Sequence, residues 1–491
     1  MNFSLLNIPW FPGWVDSIIF ALDIIIRIIA LCWIPYNRKP SVALGWLMAI
    51  FLLPYVGILI FIVIGSRYLP KNRRERQSRM NELVRERTGN RPVLGAQGHL
   101  RESDLASAIL NYRLGSLPMA GGNEFALLPD NHESMKVMAK AVDDAEEYVH
   151  FECYIVAYDT SSAPLLDALF RAHQRGVKVR VLIDHMGSLG YPGYSELVKM
   201  LDRAGLPWRR MLPLRPWRGE YQRPDLRNHR KILVVDGLVG FSGSQNIIDR
   251  SYNKRKNRRR NRAWKDLMLD IRGPMVSELN ALFLSDWYAE TGDLLLEEAD
   301  QDLPSLDSGA MAQVVPSGPG FETENNLRLI NHLIYNAERR IIICSPYFVP
   351  DDSLKMALTT AAQSGIDVTL IVCAKGDKFF PHYGQRSYYA SLLHMGVKIQ
   401  LYPAPTVLHT KFMVVDDDVS LIGSSNMDQR SFSLNLEVSM LILDKTVASQ
   451  VNELAKEYFE VCEELDYAEW LRRPLRQKVT ENICRLTSAL L

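Results

Sequence analysis

Two short stretches of this chain carry the same reactive residue types in the same order. Residues 229–246 read HRKILVVDGLVGFSGSQN, and residues 409–426 read HTKFMVVDDDVSLIGSSN. In each, His-x-Lys is followed by four residues, an Asp, six residues, then Gly-Ser-x-Asn. His229 and His409, Lys231 and Lys411, Asp236 and Asp416, Gly243 and Gly423, Ser244 and Ser424, and Asn246 and Asn426 are all offset by one interval. Six matched positions without a slip in register are a duplication, not a coincidence. Residues two apart on a strand share a face, so each motif presents an imidazole and an ammonium together. Two such sets around one ligand supply two imidazoles for attack and proton transfer and two fixed positive charges. The group that suits them is a phosphodiester.

The elements that must hold these residues can be read around them. The apolar, β-branched-rich runs 232–235 and 412–415 predict buried strands. Asp236-Gly237 is a hairpin signal, and Asp417-Asp418 can turn the chain in the same way. The returning strand then brings Ser244 and Asn246, or Ser424 and Asn426, back beside the His and Lys. Upstream, 148–157 predicts a strand, 165–174 a helix and 176–184 a strand; 340–349, 354–363 and 365–373 repeat that order. The pairs 201–205 with 208–212 and 392–396 with 398–402 extend the correspondence. The expected fold class is α/β, with two pseudo-symmetric domains meeting at one site. Their boundary is expected in the Asp-, Ser-, Pro- and Gly-rich stretch 292–320.

The paired motifs resemble the double HKD signature of the phospholipase D superfamily. That resemblance implies two similar α/β domains with both motifs at one shared active site. It makes His229, Lys231, Asp236, His409, Lys411 and Asp416 the catalytic candidates, with Ser244, Asn246, Ser424 and Asn426 supporting the phosphate. Asp236 and Asp416 lie one residue beyond their strands, so holding the turn or a salt bridge suits them better than acting as general bases. The resemblance also implies a downstream carboxylate on each imidazole, pairing Asp266 with His229 and Glu437 with His409. A carboxylate there fixes the tautomer and stabilises the imidazolium. Family analogy makes His229 the nucleophile and His409 the acid and base; the residues alone do not rank them. No metal or cofactor is expected, because two lysines fill the electrostatic role a metal would have.

At 491 residues the chain exceeds one ordinary core and suits two domains with an addition. A net charge of +1 gives no global field for nucleic acid. Of six cysteines, Cys153, Cys344 and Cys373 fall in expected core strands, which reads as free thiols in a reducing compartment. The expected division is 1–69 as a membrane hairpin, 70–122 as a polar helical connector, and 123–300 and 301–491 as the two repeated domains.

Residues 42–65 run for 24 positions without a charge and predict a transmembrane span. Residues 14–33 are apolar but carry Asp16, Asp23 and Arg27 on one helical stripe, so they either form a second span or lie in the interface; the length favours a hairpin of two spans. Arg67, Lys71, Arg73, Arg74 and Arg76 outweigh Arg38 and Lys39, which puts the large body on the cytoplasmic side of the inner membrane.

The insert 253–262 holds seven cations in ten residues: Lys254, Arg255, Lys256, Arg258, Arg259, Arg260 and Arg262. It is either a solvated basic loop or a clamp on an anionic membrane surface, worth about 1 kcal/mol per cation near an acidic leaflet. It lacks the interleaved aromatics of a nucleic-acid groove.

Across nearly its full length, the two apolar N-terminal segments, the Asp428-x-Arg430-Ser431-Phe432 tail and the closing residues 485–491 resemble the bacterial cardiolipin synthase family. That resemblance implies condensation of two phosphatidylglycerol molecules into cardiolipin and glycerol through a phosphohistidine. A hydrolytic phospholipase D and a non-enzymatic membrane scaffold are the alternatives; intact His, Lys and Asn in both motifs speak against the scaffold. The sequence leaves oligomeric state and acyl preference open.

Overall fold

Runs of aliphatic and β-branched residues buried on both faces become parallel strands when helices cover them, and the chain uses this pattern twice. The computed structural model describes residues 13–36, 38, 40–66, 69–94, 100–218, 220–299, 309–321 and 323–486. The chain divides into two compact units, 1–67 and 68–491.

In the second unit, Tyr148–Cys153, Lys178–Asp184 and Trp208–Met211 lie parallel in that order. Lys231–Val235 runs antiparallel beside Tyr148–Cys153, and Val239–Gly243, Met268–Arg272 and Met119–Leu128 continue the sheet. The later half repeats this with Arg340–Cys344, Asp367–Cys373 and Lys398–Tyr402 parallel. Phe412–Val415, Val419–Gly423, Asn435–Leu443 and Ala310–Ser317 then follow antiparallel. Met119–Leu128 serves both halves: residues 124–128 pair with Met268–Arg272, while Ala120 and Asn123 pair with Ala312 and Ala310. One face of the earlier sheet packs Val149, Phe151 and Val181 on Leu165, Leu169 and Met135. On the other face Ile232, Val234 and Leu269 share a single core with Ile342, Val414 and Met440 of the later half. The halves are therefore joined by a strand and by a core.

Lys71–Arg87 is the expected polar helix, and it packs Met80 against Phe283, Leu284 and Trp287. Its arginines are engaged by this body: Arg73 pairs with Glu290 at 2.5 Å, and Arg76 donates to the carbonyls of Tyr288 and Ala289. They weigh less on membrane orientation than a free basic flank would. Lys39, Arg67, the linker 300–308, the closing residues 487–491 and the Asp16 side chain lie outside the described residues.

In the first unit the single 24-residue helix expected over 42–65 is corrected. The chain forms Pro40–Leu52 and Pro54–Ile64, broken at Leu53. Pro54 has no N–H to donate and its ring crowds the preceding turn, so it opens a new helix. The two helices fold back on each other. Trp46 meets Phe61 edge-on at 5.3 Å, and Arg38, before the first, reaches the carbonyl of Gly65, after the second, at 3.0 Å. Gly57 permits the close approach, since a Cβ there would lie 2.7 Å from the Ile50 Cα. Gly13–Trp33 is one helix with Asp23 and Arg27 paired at 2.9 Å, and Ala30, Ile34, Ala43 and Ile50 form a small core. Among the described residues no helix is long and apolar enough to cross a membrane.

Both motif hairpins close through three-residue turns, with Val235 opposite Val239 and Val415 opposite Val419. Asp236, Gly237 and Asp416 take left-handed backbone at φ 52°, 65° and 55°. The second turn therefore pivots on Asp416, one residue before the expected Asp417-Asp418. Asp236 accepts the backbone N–H groups of Glu146, Glu147 and Tyr148 at 2.7–2.8 Å. Asp416 accepts those of Glu338, Arg339 and Arg340 at 2.8–3.1 Å. Each aspartate ties its hairpin to the start of the neighbouring strand. Asp416→Ala leaves three N–H groups without their acceptor, and is expected to destabilise the body by about 2–3 kcal/mol, read as a lower thermal unfolding midpoint. Turnover per folded molecule should stay within a few-fold of the parent; a variant with unchanged midpoint and abolished turnover would return Asp416 to the reaction.

Candidate active site

His229 and His409 enter the site from equivalent places, and in each case the neighbouring strand comes from the other half. Arg227–Asn228 pairs in parallel with Asn435–Leu436, and the His229 N–H donates to the Leu436 carbonyl at 2.8 Å. Val407–Leu408 pairs in parallel with Trp264–Lys265, and the His409 N–H donates to the Lys265 carbonyl at 2.7 Å. The residue that follows each partner strand position is the carboxylate. His229 Nδ1 lies 2.9 Å from Glu437 Oε2, and His409 Nδ1 lies 2.6 Å from Asp266 Oδ1. The expected pairing is thus reversed. Asp266 serves the later imidazole and Glu437 the earlier one, because the short parallel strands cross between the halves.

Each carboxylate is also held by the serine of its own half. Ser244 Oγ donates to Asp266 at 2.8 Å and Ser424 Oγ to Glu437 at 2.5 Å. The serines therefore brace the carboxylates rather than pointing at a ligand. Lys231 Nζ and Lys411 Nζ each donate to the carbonyl of their own histidine, at 2.5 Å. An ammonium has three donors, so each lysine keeps capacity for anionic oxygens. The asparagines differ. Asn246 is committed to the frame, donating to Tyr252 Oη at 2.7 Å and accepting from the Ile155 N–H at 3.3 Å. Asn426 Oδ1 is buried without a hydrogen-bond partner.

Asp236 and Asp416 are corrected as members of the catalytic cluster. Each sits at the opposite end of its strand, about 16 Å of extended chain from the Lys and about 23 Å from the His. An open cleft of about 620 Å³ lies at the Asp236 end, lined by Lys136, Asp236, Leu238, Asp270 and Arg272, and holds neither histidine.

Burial governs the electrostatics. His229, Lys231, His409, Lys411, Asp266 and Glu437 are all buried. Burial, then the Lys231 and Lys411 charges, hold the His229 imidazole well below its usual range, and so neutral. Burial and Lys411 also lower His409, but the Asp266 carboxylate opposes them. Burial lowers Lys411 to about 7 against the pull of Asp266. Burial raises Glu437 to about 6, against Lys231. For Asp266 burial is outweighed by His409, Lys411 and the Ser244 hydroxyl, which keep it below the ordinary carboxylate range.

Several site residues carry no motif signal. Tyr154 places its ring edge-on to His229 at 4.8 Å, with Lys231 Nζ 5.4 Å from the same ring. Arg230, the unmatched residue inside the first His-x-Lys, is almost wholly buried, bonds Asp286 and donates from Nε to the Glu437 carbonyl at 3.2 Å. Its position inside the motif was the available signal, since a large cation between two site residues must find partners. Tyr347 bonds Asp377, and Lys378 Nζ lies 5.4 Å over the Tyr347 ring. The basic insert is a short helix, Arg255–Arg259, anchored by buried Asn257 and by Lys254 Nζ 4.5 Å over Tyr191.

A family model described as "Cardiolipin synthase, PLD-like domain" matches residues 138–287 and 330–459. Cardiolipin synthase of Geobacillus kaustophilus (strain HTA426) is 34% identical over 463 residues, covering 93% of this chain and 90% of the relative. Cardiolipin synthase A of Proteus mirabilis (strain HI4320) is 30% identical over 464 residues, covering 93% of this chain and 94% of the relative. Among solved structures, phosphatidylserine synthase of Haemophilus influenzae Rd KW20 aligns with a TM-score of 0.60 at 17% identity, covering 79% of this chain and 100% of that one, a likeness of fold. With its duplicated motif, crossed carboxylates and near-full-length relatives, the chain belongs to the cardiolipin synthase family of phospholipase D-like proteins.

Proposed function

We propose that the protein is a membrane-bound phosphatidyltransferase that condenses two phosphatidylglycerol molecules into cardiolipin and glycerol. The observation that carries the reading is the joining of both imidazoles into one buried site by carboxylates from opposite halves. The relatives' names support the lipid substrates.

Glu437 accepts a hydrogen bond from the Nδ1–H of His229, which leaves the Nε2 lone pair for attack on the donor phosphorus. The bond from phosphorus to the headgroup oxygen breaks as protonated His409, steadied by Asp266, donates its Nε2 proton to that oxygen, and glycerol leaves. Lys231 and Lys411 hold the non-bridging oxygens as charge builds on them. The headgroup hydroxyl of a second phosphatidylglycerol then gives its proton to His409 and attacks the phosphohistidine. The phosphorus–nitrogen bond breaks, cardiolipin departs, and both imidazoles return to their starting states. His229 suits the nucleophile because it is neutral, and His409 suits the acid because Asp266 opposes its loss of a proton.

The first unit is the proposed membrane anchor. Phe20, Ile28, Leu44, Leu52, Leu59 and Ile62 face outward from its helices, a surface suited to lipid rather than water. Pro40–Leu52 and Pro54–Ile64 span about 20 and 16 Å, too short to cross a hydrocarbon core of about 30 Å. Because they fold back with Arg38 on Gly65, they suit a re-entrant hairpin whose two ends lie on one side of the bilayer. The basic insert is a proposed contact with anionic headgroups.

Purified protein given labelled phosphatidylglycerol should yield cardiolipin and glycerol on thin-layer analysis, and His229→Ala should lower turnover by at least about a thousandfold. Phosphatidic acid as the main product would make the enzyme a hydrolase, and full turnover by the variant would remove the phosphohistidine. In the parent, kcat/KM should rise with pH as Glu437 loses its proton near about 6. It should fall as Lys411 loses its ammonium charge near about 7. A bound phosphodiester favours that charge, so the alkaline limb should move upward in kcat; coincident limbs would sever Lys411 from the bound phosphate. For topology, Leu53→Cys should resist an impermeant maleimide applied from either side of sealed vesicles, whereas residues 36 and 66 should share one side. Labelling of 36 and 66 from opposite sides would restore a true span.

A further inference from the structure

We infer that the rim of the active site is a membrane-docking face for a leaflet rich in anionic phospholipid, with Trp217, Phe379 and Phe380 entering the interface. The inference rests on the lipid substrates proposed above. The parallel strands of both halves end at the edge where the histidines sit, and the loops that follow them make the rim. Trp217 lies on the turn Pro216–Arg218, between the strand Trp208–Met211 and the segment that delivers His229. Phe379 and Phe380 open the helix Phe379–His394, just past the strand Asp367–Cys373. Trp217 is 78% exposed, Phe379 57% and Phe380 51%.

These side chains are displayed on anchored loops. The Leu214 N–H donates to His185 Nδ1 at 3.1 Å, and Arg215 pairs with Glu220 at 2.5 Å, so the turn bearing Trp217 is pinned on both sides. Phe379 packs on Phe380 at 5.5 Å and on Tyr383 at 4.7 Å. The loop bearing them leaves the end of Asp367–Cys373, which lies on the edge where Phe412–Val415 begins just after His409, so this cluster sits at the mouth of the reaction site.

The charge around the rings has one prevailing sign. Lys375, Lys378, Lys254, Arg255 and Lys256 are exposed around the same edge. Of the acidic groups in these loops, Glu220 pairs with Arg215 and Asp225 with Arg223, while Asp377 and Asp249 keep their charge on hydroxyl partners and are outnumbered by the cations. One exposed Trp and two exposed Phe rings beside this excess of cations match the headgroup layer, where Trp settles at interface depth, Phe buries apolar area and cations meet lipid phosphates. Seating this rim on the leaflet would let a headgroup reach the buried lysines without its acyl chains leaving the bilayer.

The test uses the full-length protein on vesicles of phosphatidylglycerol with brominated acyl chains, which quench nearby tryptophan. Trp217→Phe should lose a share of that quenching on the order of one tryptophan among the chain's nine. Phe379→Ala/Phe380→Ala should raise KM, expressed as the mole fraction of phosphatidylglycerol in vesicles, at least tenfold. Its activity on monomeric short-chain phosphatidylglycerol should stay within twofold of the parent. Equal quenching in parent and W217F overturns the docking face whatever the products are, and equal losses on vesicles and monomers do the same. A dimer that dissociates in W217F, with quenching unchanged, gives the rim to a second copy of the chain instead. A parent that makes no cardiolipin but shows the quenching difference keeps the docking face and refutes the substrate assignment.

Discussion

The site depends on an exchange of carboxylates between two halves of one chain. Each half builds an imidazole, an ammonium and a serine from its own hairpin, but neither holds its imidazole in register by itself. The earlier histidine is oriented by Glu437 and the later one by Asp266, and both carboxylates are braced by the serine of the half that donates them. A half in isolation would carry a buried carboxylate without its imidazole and an imidazole free to choose its tautomer. The shared strand Met119–Leu128 and the common core under both sheets follow from this demand, since the exchange requires the halves to be fixed to within hydrogen-bond tolerance.

The charge of the cluster follows from the same arrangement. Two buried ammoniums face two buried carboxylates, and such a group is tolerable in a low dielectric only when every charge has a partner. With both imidazoles neutral the balance is zero; with one protonated it is a single positive charge, which matches a single phosphodiester anion. A second anionic phosphate would exceed that balance. The geometry therefore favours handling one phosphorus at a time, with the acceptor lipid presenting its hydroxyl rather than its phosphate to the lysines.

Much of this was legible in the residues and some was not, for identifiable reasons. The strands expected at 232–235 and 412–415 and the helices expected at 165–174 and 354–363 follow from local periodicity, and they appear as Lys231–Val235, Phe412–Val415, Ala163–Gln174 and Asp352–Gln363. The choice of partner for Asp266 and Glu437 was not legible, because it is made by two-residue parallel pairings that join positions 143 and 208 residues apart. The role of Asp236 and Asp416 was half legible: their place beyond the strand pointed to the turn, but not to the three amides each one collects. The break at Pro54 was not legible, because a proline is tolerated within a membrane helix. An apolar stretch of that length reads as a span unless the contact of Trp46 with Phe61 is known.

Symmetry in the motifs does not extend behind them. Below His229 the chain packs ionisable groups: Arg230 bonds Asp286 and the Glu437 carbonyl, Asn228 bonds the buried carboxyl of Glu152, which burial pushes well above its usual range, and Asp184 faces Arg227. Below His409 the matching positions are neutral. Thr410 replaces Arg230 and meets the Tyr458 hydroxyl at 3.2 Å, and Cys344 stands at the position of Glu152, donating to the Thr410 carbonyl at 3.5 Å. The two imidazoles also differ in what opposes the loss of their charge: burial and the Lys231 and Lys411 charges hold His229 neutral, whereas at His409 the Asp266 carboxylate works against burial and Lys411. The duplication thus supplies two alike sets of reacting groups, and the unlike surroundings of the two imidazoles are what the proposed division into a nucleophile at His229 and a proton carrier at His409 draws on.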